Sequence, residues 1–459
     1  MKHILAFDDF VLNRSDNTRR VFKQPKWYTD LAYTDAANPR GIWPSTVVPA
    51  PGGGYMLTYG GVPGASKTIN DENMMGFMAW SEDGLRFAPL DSVNPQGEYP
   101  HMTGATSGNI GLVLYLDKTE KNPERRYKSP HARYGYKDGI LVEDPPHMLA
   151  SPDLIHWHQI NDAPIVPSFV DCTMSLLRNP VTGRYQVTTR RRWGERRICL
   201  VESVDLEHWS LPRAIVHPLP SDEPLTHLYS MPHYYYEAGD IFIGLLWKQV
   251  MPFGRVMDGP VFSEYAYSYD GLLWNRTHAP IFPVMDRGEY GGGSCYVVSM
   301  LEREDDILFY AAAHRAEHGG NPRDWQAGMP PESVLIPGTM KRNRFVCIDA
   351  GKGKANLVTQ WLRLKTPSLT LNANVPFGSL RAQLSADGPI PGYTYDDFIP
   401  LGGDHLDAPL RWNGGALDEF VQSGRWIQLH FAFEQAEVYA ISGEFDFTIN
   451  TRAPAYERL

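Results

Sequence analysis

Four short stretches of this chain are near-copies of one another: S-E-D-G-L-R-F (residues 81–87), S-P-D-L-I-H-W (151–157), S-V-D-L-E-H-W (203–209) and S-Y-D-G-L-L-W (268–274). They recur about every 50–70 residues, and self-similarity at such a period means one supersecondary unit used several times. Each follows an apolar or aromatic run of strand character, such as Phe77-Met78-Ala79-Trp80 or Ile198-Cys199-Leu200-Val201. The repeated stretch itself has turn chemistry. Ser and Asp side chains accept backbone N–H bonds, and Gly, where present, tolerates positive φ. The closing Trp or Phe begins the next strand and offers a large apolar plate to a neighbouring unit. A strand–turn–strand unit repeated in this way predicts a β-propeller with one such turn per blade.

Composition agrees with an all-β chain. Aromatic residues make up 12% of the 459 residues, charged residues only 21%, and 41 Gly and 37 Pro are spread throughout. That is a turn-rich β composition, without helical periodicity sustained over three turns. The net charge of −10 argues against nucleic acid, because little here would release phosphate counterions. A neutral carbohydrate that stacks on aromatics suits the chain better. The cysteines Cys172, Cys199, Cys295 and Cys347 form no C-x-x-C pair and are expected as free buried thiols. No secretory h-region or bilayer-long apolar run is present, so the expectation is a cytoplasmic protein without a membrane partner. Homo-oligomerisation is left open.

Laid along the chain, the first blade covers residues 42–87, the second begins near 109–112 and closes at Trp157, and the third begins at 169–171. The fourth runs from His227 to Trp274, and the fifth starts at G-E-Y-G-G-G-S-C-Y-V-V (288–298) and ends at R-F-V-C-I-D-A-G (344–351). The N-terminal strand is expected to help seal the ring. Beyond Gly351, runs such as W-I-Q-L-H-F-A-F and E-V-Y-A-I-S-G-E-F alternate with turns, as in a small β-sandwich. The expected architecture is all-β: a five-bladed β-propeller over residues 1–350, followed by a C-terminal β-sandwich over 351–459.

Several stretches carry a resemblance: F-D-D near the start, N-P-E-R-R-Y-K (122–128), R-N-P-V-T-G-R-Y (178–185), D-G-P before S-Y-D-G-L-L-W, and G-E-Y. In the tail, G-P-I-P-G-Y (388–393), L-R-W-N-G-G (410–415) and A-E-V-Y-A-I (436–441) belong with them. Over nearly its whole length the chain resembles a bacterial group of family-32-like glycosyl hydrolases, in the propeller clan of glycoside hydrolase families 32 and 43. The sialidase Asp-box also ends in Trp, but its glycine and aromatic are spaced differently. The resemblance implies cleavage of a furanoside or related glycoside in the central funnel, with no cofactor. Family 32 works with three acids, and only Asp171 falls where one of them should be. I-W-P-S-T-V-V-P in the first blade and H-L-Y-S-M-P in the fourth lack the others.

Glycoside hydrolysis needs one carboxyl group to protonate the leaving oxygen and a second as nucleophile or base. In a propeller these come from the innermost strands, so acids at blade starts are the candidates. Asp171 is expected as stabiliser or base and Glu289 as general acid, its glycine run allowing close backbone approach to a ligand. Asp9, with Asp8 beside it, is expected to replace the absent first-blade acid. Asp258 in M-D-G-P is a candidate contact for sugar hydroxyls. The run T-T-R-R-R-W-G-E-R-R (188–197) puts Arg190 and Arg192 on one strand face as an anion clamp for an acidic sugar or phosphate. His101, His227 and His314 are expected as polar sugar contacts, with no spacing that supports a metal. Trp43 and Trp247 are the candidate stacking plates. The expected function is therefore a glycoside hydrolase. The alternatives are an inverting glycoside phosphorylase, its phosphate held by Arg, and a non-catalytic carbohydrate-binding propeller.

Overall fold

The computed structural model describes all residues except 1, 65–74, 98–99, 104–112, 138–139, 169, 171, 191–195, 252–258, 319–327 and 453–459, and except the side chains of 2 and 133–143. The chain is nearly all strand, and it divides into two units. One comprises residues 24–235 and 242–339, the other 1–23, 236–241 and 340–459.

The larger unit is a five-bladed propeller. Its first blade is the antiparallel sheet Ile42–Pro49, Tyr55–Gly61, Met75–Ser81 and Ala88–Pro89. The second is Tyr115–Leu116, Tyr127–Lys137, Ile140–Ser151 and His158–Gln159, and the third Ser175–Arg178, Tyr185–Thr189, Ile198–Ser203 and Arg213–Val216. The fourth is built from Thr226–Ser230, Ile241–Val250, Val261–Ser268 and Asn275–Pro280. Ser294–Glu302, Asp306–His314 and Ser333–Lys341 make most of the fifth. Its fourth strand comes from the other end of the chain: Lys26–Trp27 pairs with Gly338 and Thr339. Trp27 is anchored there by its ring N–H on the Ile281 carbonyl (3.2 Å). A strand from the N-terminal part of the chain thus closes the fifth blade. The expected start of the second blade, 109–112, lies outside the described residues.

The repeated turns share one hydrogen-bond scheme. In the first, the Gly84 amide donates to Ser81 Oγ (2.9 Å), and the Leu85 and Arg86 amides donate to Asp83 Oδ1 (2.7 and 2.9 Å). The other three turns repeat it around Ser151/Asp153, Ser203/Asp205 and Ser268/Asp270. The tryptophan ring N–H of each closing Trp then donates back to the carbonyl of residue 154, 206 or 271. That same residue has a left-handed backbone in every copy, with φ of 76° at Gly84, 72° at Leu154, 69° at Leu206 and 75° at Gly271. Two copies therefore hold leucine where glycine is unstrained. Both leucines are buried in inter-blade clusters, with Met78, Tyr127 and Trp157 around Leu154 and Met174, Val201 and Trp209 around Leu206. Apolar burial offsets the backbone cost.

The smaller unit is the sandwich, and it takes in both chain ends. Lys2–Leu5 pairs with Ala440–Gly443, Leu12–Asp16 with Asn356–Thr359, and Arg19–Phe22 with Val346–Asp349. The long strand Trp361–Ser385 changes partner along its length. Its first part pairs with Glu437–Thr448 and its last part with Gln428–Glu434, on either side of a register shift between Val375 and Leu380. Leu362, Leu371, Leu380, Leu384, Ile427, Leu429 and Phe431 form the buried centre of the core. Two expectations change here. Residues 2–22 belong to the sandwich sheet rather than to the propeller. R-F-V-C-I-D does not end the fifth blade: Val346–Asp349 is a sandwich strand, since Lys26–Trp27 already fills the fourth place in that blade.

Candidate functional site

The innermost strands of the first, fourth and fifth blades begin where the second strands of the same blades end. The register shows this directly, with Ile42 opposite Gly61, His227 opposite Gln249 and Ser294 opposite His314. The side chains at these strand ends form a continuous run of rings. Trp43 lies 6.4 Å from His314, His314 5.3 Å from Tyr296, Tyr296 5.0 Å from Trp247, and Trp247 6.4 Å from Tyr229. His318 then sits 4.8 Å from Tyr229, and its Nδ1 is 3.3 Å from the Tyr296 hydroxyl. Two guanidinium groups, of Arg190 and Arg196, lie 4.9 and 5.0 Å from the centre of the Tyr229 ring, at cation–π distance.

Each of these groups has a defined support. The Trp247 ring N–H donates to the Val297 carbonyl (2.9 Å) and only 4% of the residue is exposed, so it backs the wall rather than facing a ligand. His227 is likewise buried, and its Nδ1 accepts from the Arg196 amide (3.1 Å), while Gln249 Oε1 accepts from Arg196 Nη1 (2.5 Å). His227 and Gln249, paired across two strands, thus hold Arg196 in place. Trp43, Tyr229, Tyr296 and His314 are each half-buried and keep part of their surface open. Burial pushes the His314 imidazole down to about 3, with a smaller push from His318, so it is neutral at ordinary pH. Burial also raises the Tyr296 phenol well above its ordinary value, keeping it a neutral hydrogen-bonding group.

Glu289 lies exposed on a turn that is strapped down from below. The Gly291 and Gly293 amides both donate to the His314 carbonyl (3.0 and 3.2 Å), and Arg315 Nε donates to the Gly288 carbonyl (2.6 Å). The Tyr290 hydroxyl donates to the Pro331 carbonyl (3.0 Å). A Cβ at Gly292 would lie 1.8 Å from the Asp286 oxygen, and one at Gly293 2.1 Å from the Ala316 carbonyl carbon. These two glycines are needed for the turn to fold on itself and on residues 314–316, where close approach of a ligand had been expected to require them.

Three of the expected contacts lie elsewhere. His101 is buried and points its Nε2 at Asp35 Oδ2 (3.0 Å), in a knot that also contains Tyr59 Oη (2.9 Å), Asn38 Nδ2 (2.5 Å) and the Ala37 amide (2.9 Å). Burial opposes ionisation of Asp35, but these hydrogen bonds outweigh it and hold its carboxyl below the ordinary value. Asp35 thus holds His101 in this buried knot, away from the run of rings described above. Asp8 and Asp9 fold within the sandwich unit. Asp8 Oδ1 accepts from the Phe10 amide (2.9 Å), and Asp9 pairs with Arg20 (2.5 Å) on a side chain 78% exposed. Neither stands on an innermost strand, because residues 2–5 add to the strand at 440–443. Asp171, Arg192 and Asp258 lie outside the described residues.

Of the expected residues, the structure brings Trp43, Arg190, His227, Trp247 and His314 into one neighbourhood, with the Glu289 turn bonded to His314. Sequence reasoning missed Tyr229, Gln249, Tyr296, Arg196 and His318. Tyr229 lies two residues from His227, but a β-bulge between Leu228 and Ser230 breaks the strand alternation that would have pointed to it. Tyr296 and His318 carried no local signal. None of the four cysteines is in a disulfide; Cys172 is half-buried and the others are buried. Among the described residues, no group of three or more His, Cys, Asp or Glu side chains is arranged to hold a metal, and no helix is long and apolar enough to cross a membrane.

No known family profile matches the chain, and no curated protein does. Solved structures do match. An N-acetylgalactosamine deacetylase from F. plautii, in complex with blood group B trisaccharide, is 13% identical at a TM-score of 0.46, over 72% of this chain and 97% of its own. A glycosyl hydrolase from Bacteroides ovatus is 13% identical at 0.45, over 73% and 97%. A β-1,2-mannobiose phosphorylase from Listeria innocua is 12% identical at 0.41, over 70% and 97%.

Proposed function

We propose that this protein is a carbohydrate-active enzyme that cleaves a furanoside or related glycoside in the recess at the innermost strands of its propeller. The observation that supports this reading is the unbroken ring run Trp43–His314–Tyr296–Trp247–Tyr229. Partly open aromatic faces stack on the apolar face of a sugar, while neutral imidazole and phenol groups bond its hydroxyls without charge. Glu289, on its strapped turn beside His314, and Asp171 are the candidate carboxylates on this reading.

A second reading has its own support. Arg190 and Arg196 share the Tyr229 ring, and Arg196 is held by Gln249 and His227. Preorganised guanidinium groups bind oxyanions in bidentate fashion, which suits phosphorolysis, with inorganic phosphate as the attacking group, or an acidic sugar.

The test is a panel of glycosides incubated with the purified protein, with and without inorganic phosphate. Hydrolysis gives free sugar in both conditions, whereas phosphorolysis gives a sugar phosphate only when phosphate is present. Replacing Glu289 with Gln is expected to lower turnover by about a hundredfold or more. Ligand binding without turnover on every glycoside would reduce the protein to a sugar-binding propeller and sink both enzyme readings.

A further inference from the structure

The run of rings has a carboxyl group beside one end and two guanidinium groups at the other. At the His314 end lies the Glu289 turn, whose Gly291 and Gly293 amides are bonded to the His314 carbonyl. At the Tyr229 end lie Arg190 and Arg196, their guanidinium groups 4.9 and 5.0 Å from the ring centre. Two ring contacts join these ends, His314 to Tyr296 at 5.3 Å and Tyr296 to Tyr229 at 6.1 Å. Sugar hydroxyls alone do not call for two guanidinium groups at one ring. An oxyanion does.

Both arginines stand in the connection between the second and third strands of the third blade, Tyr185–Thr189 and Ile198–Ser203. Arg190 is buried. Arg196 is clasped by the innermost strand of the fourth blade: its amide donates to His227 Nδ1 (3.1 Å), and its carbonyl accepts from the Leu228 amide (3.0 Å). Its Nη1 donates to Oε1 of Gln249 (2.5 Å), a fully buried residue paired with His227 across the two strands. Both side-chain acceptors are uncharged, since Gln249 is an amide and a ring nitrogen that accepts a hydrogen bond carries no proton. These bonds therefore fix Arg196 without neutralising it. A glutamate at 249 would hold the guanidinium as well and cancel its charge, and the chain has the amide instead.

We propose that this site selects an anionic glycoside, a uronide whose carboxylate lies against Arg196 and Arg190, and that Gln249 and His227 are positioning residues for Arg196; the proposal rests on the glycoside-cleaving reading above, with Glu289 at the scissile bond. The exocyclic carboxylate of a uronide stands on the far side of the ring oxygen from the anomeric carbon. A sugar lying on the rings with its anomeric carbon at Glu289 reaches the guanidinium groups with its acid group. An attacking phosphate would have to touch the anomeric carbon itself, which puts it at the other end of the run. The planar carboxylate also matches the fork of a guanidinium. Two arginines beside the fourth blade have a plainer use, as staples between neighbouring blades. Charge separates the two roles, because a staple needs hydrogen bonds and selection needs the positive charge as well.

The first measurement needs no variant. Binding of methyl glucuronide and methyl galacturonide, both anomers of each, to the whole protein is compared by calorimetry with binding of their carboxyl methyl esters, which keep the sugar and lose the charge. At least one uronide is expected to bind about tenfold or more tightly than its ester, the worth of a hydrogen bond to a charged group. Inorganic phosphate alone, titrated in the same way, should bind more weakly than that uronide. Gln249→Glu keeps an acceptor for Arg196 but cancels its charge, and should remove most of the preference for acid over ester, whereas a staple would survive the change. Equal binding of acid and ester, binding of no uronide, tighter binding of phosphate, or a preference that persists in Gln249→Glu would each overturn the proposal. Preference for a uronide with no cleavage of any glycoside overturns the enzyme reading alone, and cleavage confined to neutral glycosides overturns the uronide alone.

Discussion

The repeated turns and the aromatic recess are built in opposite ways. In each turn the Ser and Asp side chains reach amides only two or three residues away, so seven consecutive residues contain the whole device. The recess draws Trp43, Arg190, Tyr229, Tyr296 and His314 from positions spread over most of the propeller, and each is oriented by a neighbour distant in sequence. A locally complete device can be copied from blade to blade, because it carries its own hydrogen bonds with it. An assembled one cannot, because its parts make sense only after the ring has closed. Changes to the turns should therefore alter stability and leave ligand behaviour alone, and changes to the recess should do the reverse.

The largest effect is expected at a turn. Leu206→Gly removes the backbone cost of a left-handed leucine, about 1–2 kcal/mol, but also empties a site in the inter-blade core, which costs about 2–5 kcal/mol. Cavity loss wins, together with the added freedom of glycine in the unfolded chain. Urea unfolding should show a net loss of about 3 kcal/mol, with substrate turnover per folded molecule unchanged. A shift in KM would break the division between frame and site.

Next comes the recess. Trp43→Ala should lower kcat/KM about thirtyfold, the equivalent of about 2 kcal/mol for a lost aromatic plate, while the urea midpoint moves far less than for Leu206→Gly. If stability falls and turnover does not, Trp43 is packing and the recess loses its first wall.

The smallest effect sharpens the picture of the turns. Burial works against ionisation of Asp153, but bonds from the amide and ring of His156, the Ile155 amide and the Ser151 hydroxyl outweigh it, taking the carboxyl from 3.8 to about 2. A folded value below the unfolded one contributes stability that is complete above pH 3.8 and lost as pH falls towards 2. The side chain is 39% exposed, so after solvent screening the contribution is under about 1 kcal/mol. The gap in thermal midpoint between wild type and Asp153→Asn should hold steady above about pH 4 and close between pH 4 and pH 2. A gap that stays constant to pH 2 would show that the turn does not depend on the charge.

The same division explains what could be read from residues alone. The four turns and the strand-like runs of the tail depend on patterns of side chains a few residues apart, and they were legible. Lys26–Trp27 carries no such pattern: two residues are too short to show alternation, and their partner strand is more than 300 residues on. His101 and His314 look alike in sequence, each a histidine beside small or apolar residues. Only the folded chain sets Asp35 against the first and Trp43 and Tyr296 against the second. The buried ion pair of Arg40 and Glu332 gave no signal at all, since its two residues are separated by nearly the whole propeller.

By itself, then, the amino-acid sequence determined that this chain repeats a Ser–Asp turn closed by an aromatic, and hence that it folds as a β-propeller followed by a second β unit. Hydrogen bonds between near neighbours form in any context, so they leave a pattern that can be read along the chain. Only the tertiary structure decided that residues 2–22 add to the sandwich, that His101 is locked to Asp35, and that Trp43, His314, Tyr296 and Tyr229 join in one run of rings. Those outcomes depend on strand pairing and burial between distant segments, and the energy of such contacts exists only once the blades have closed on one another.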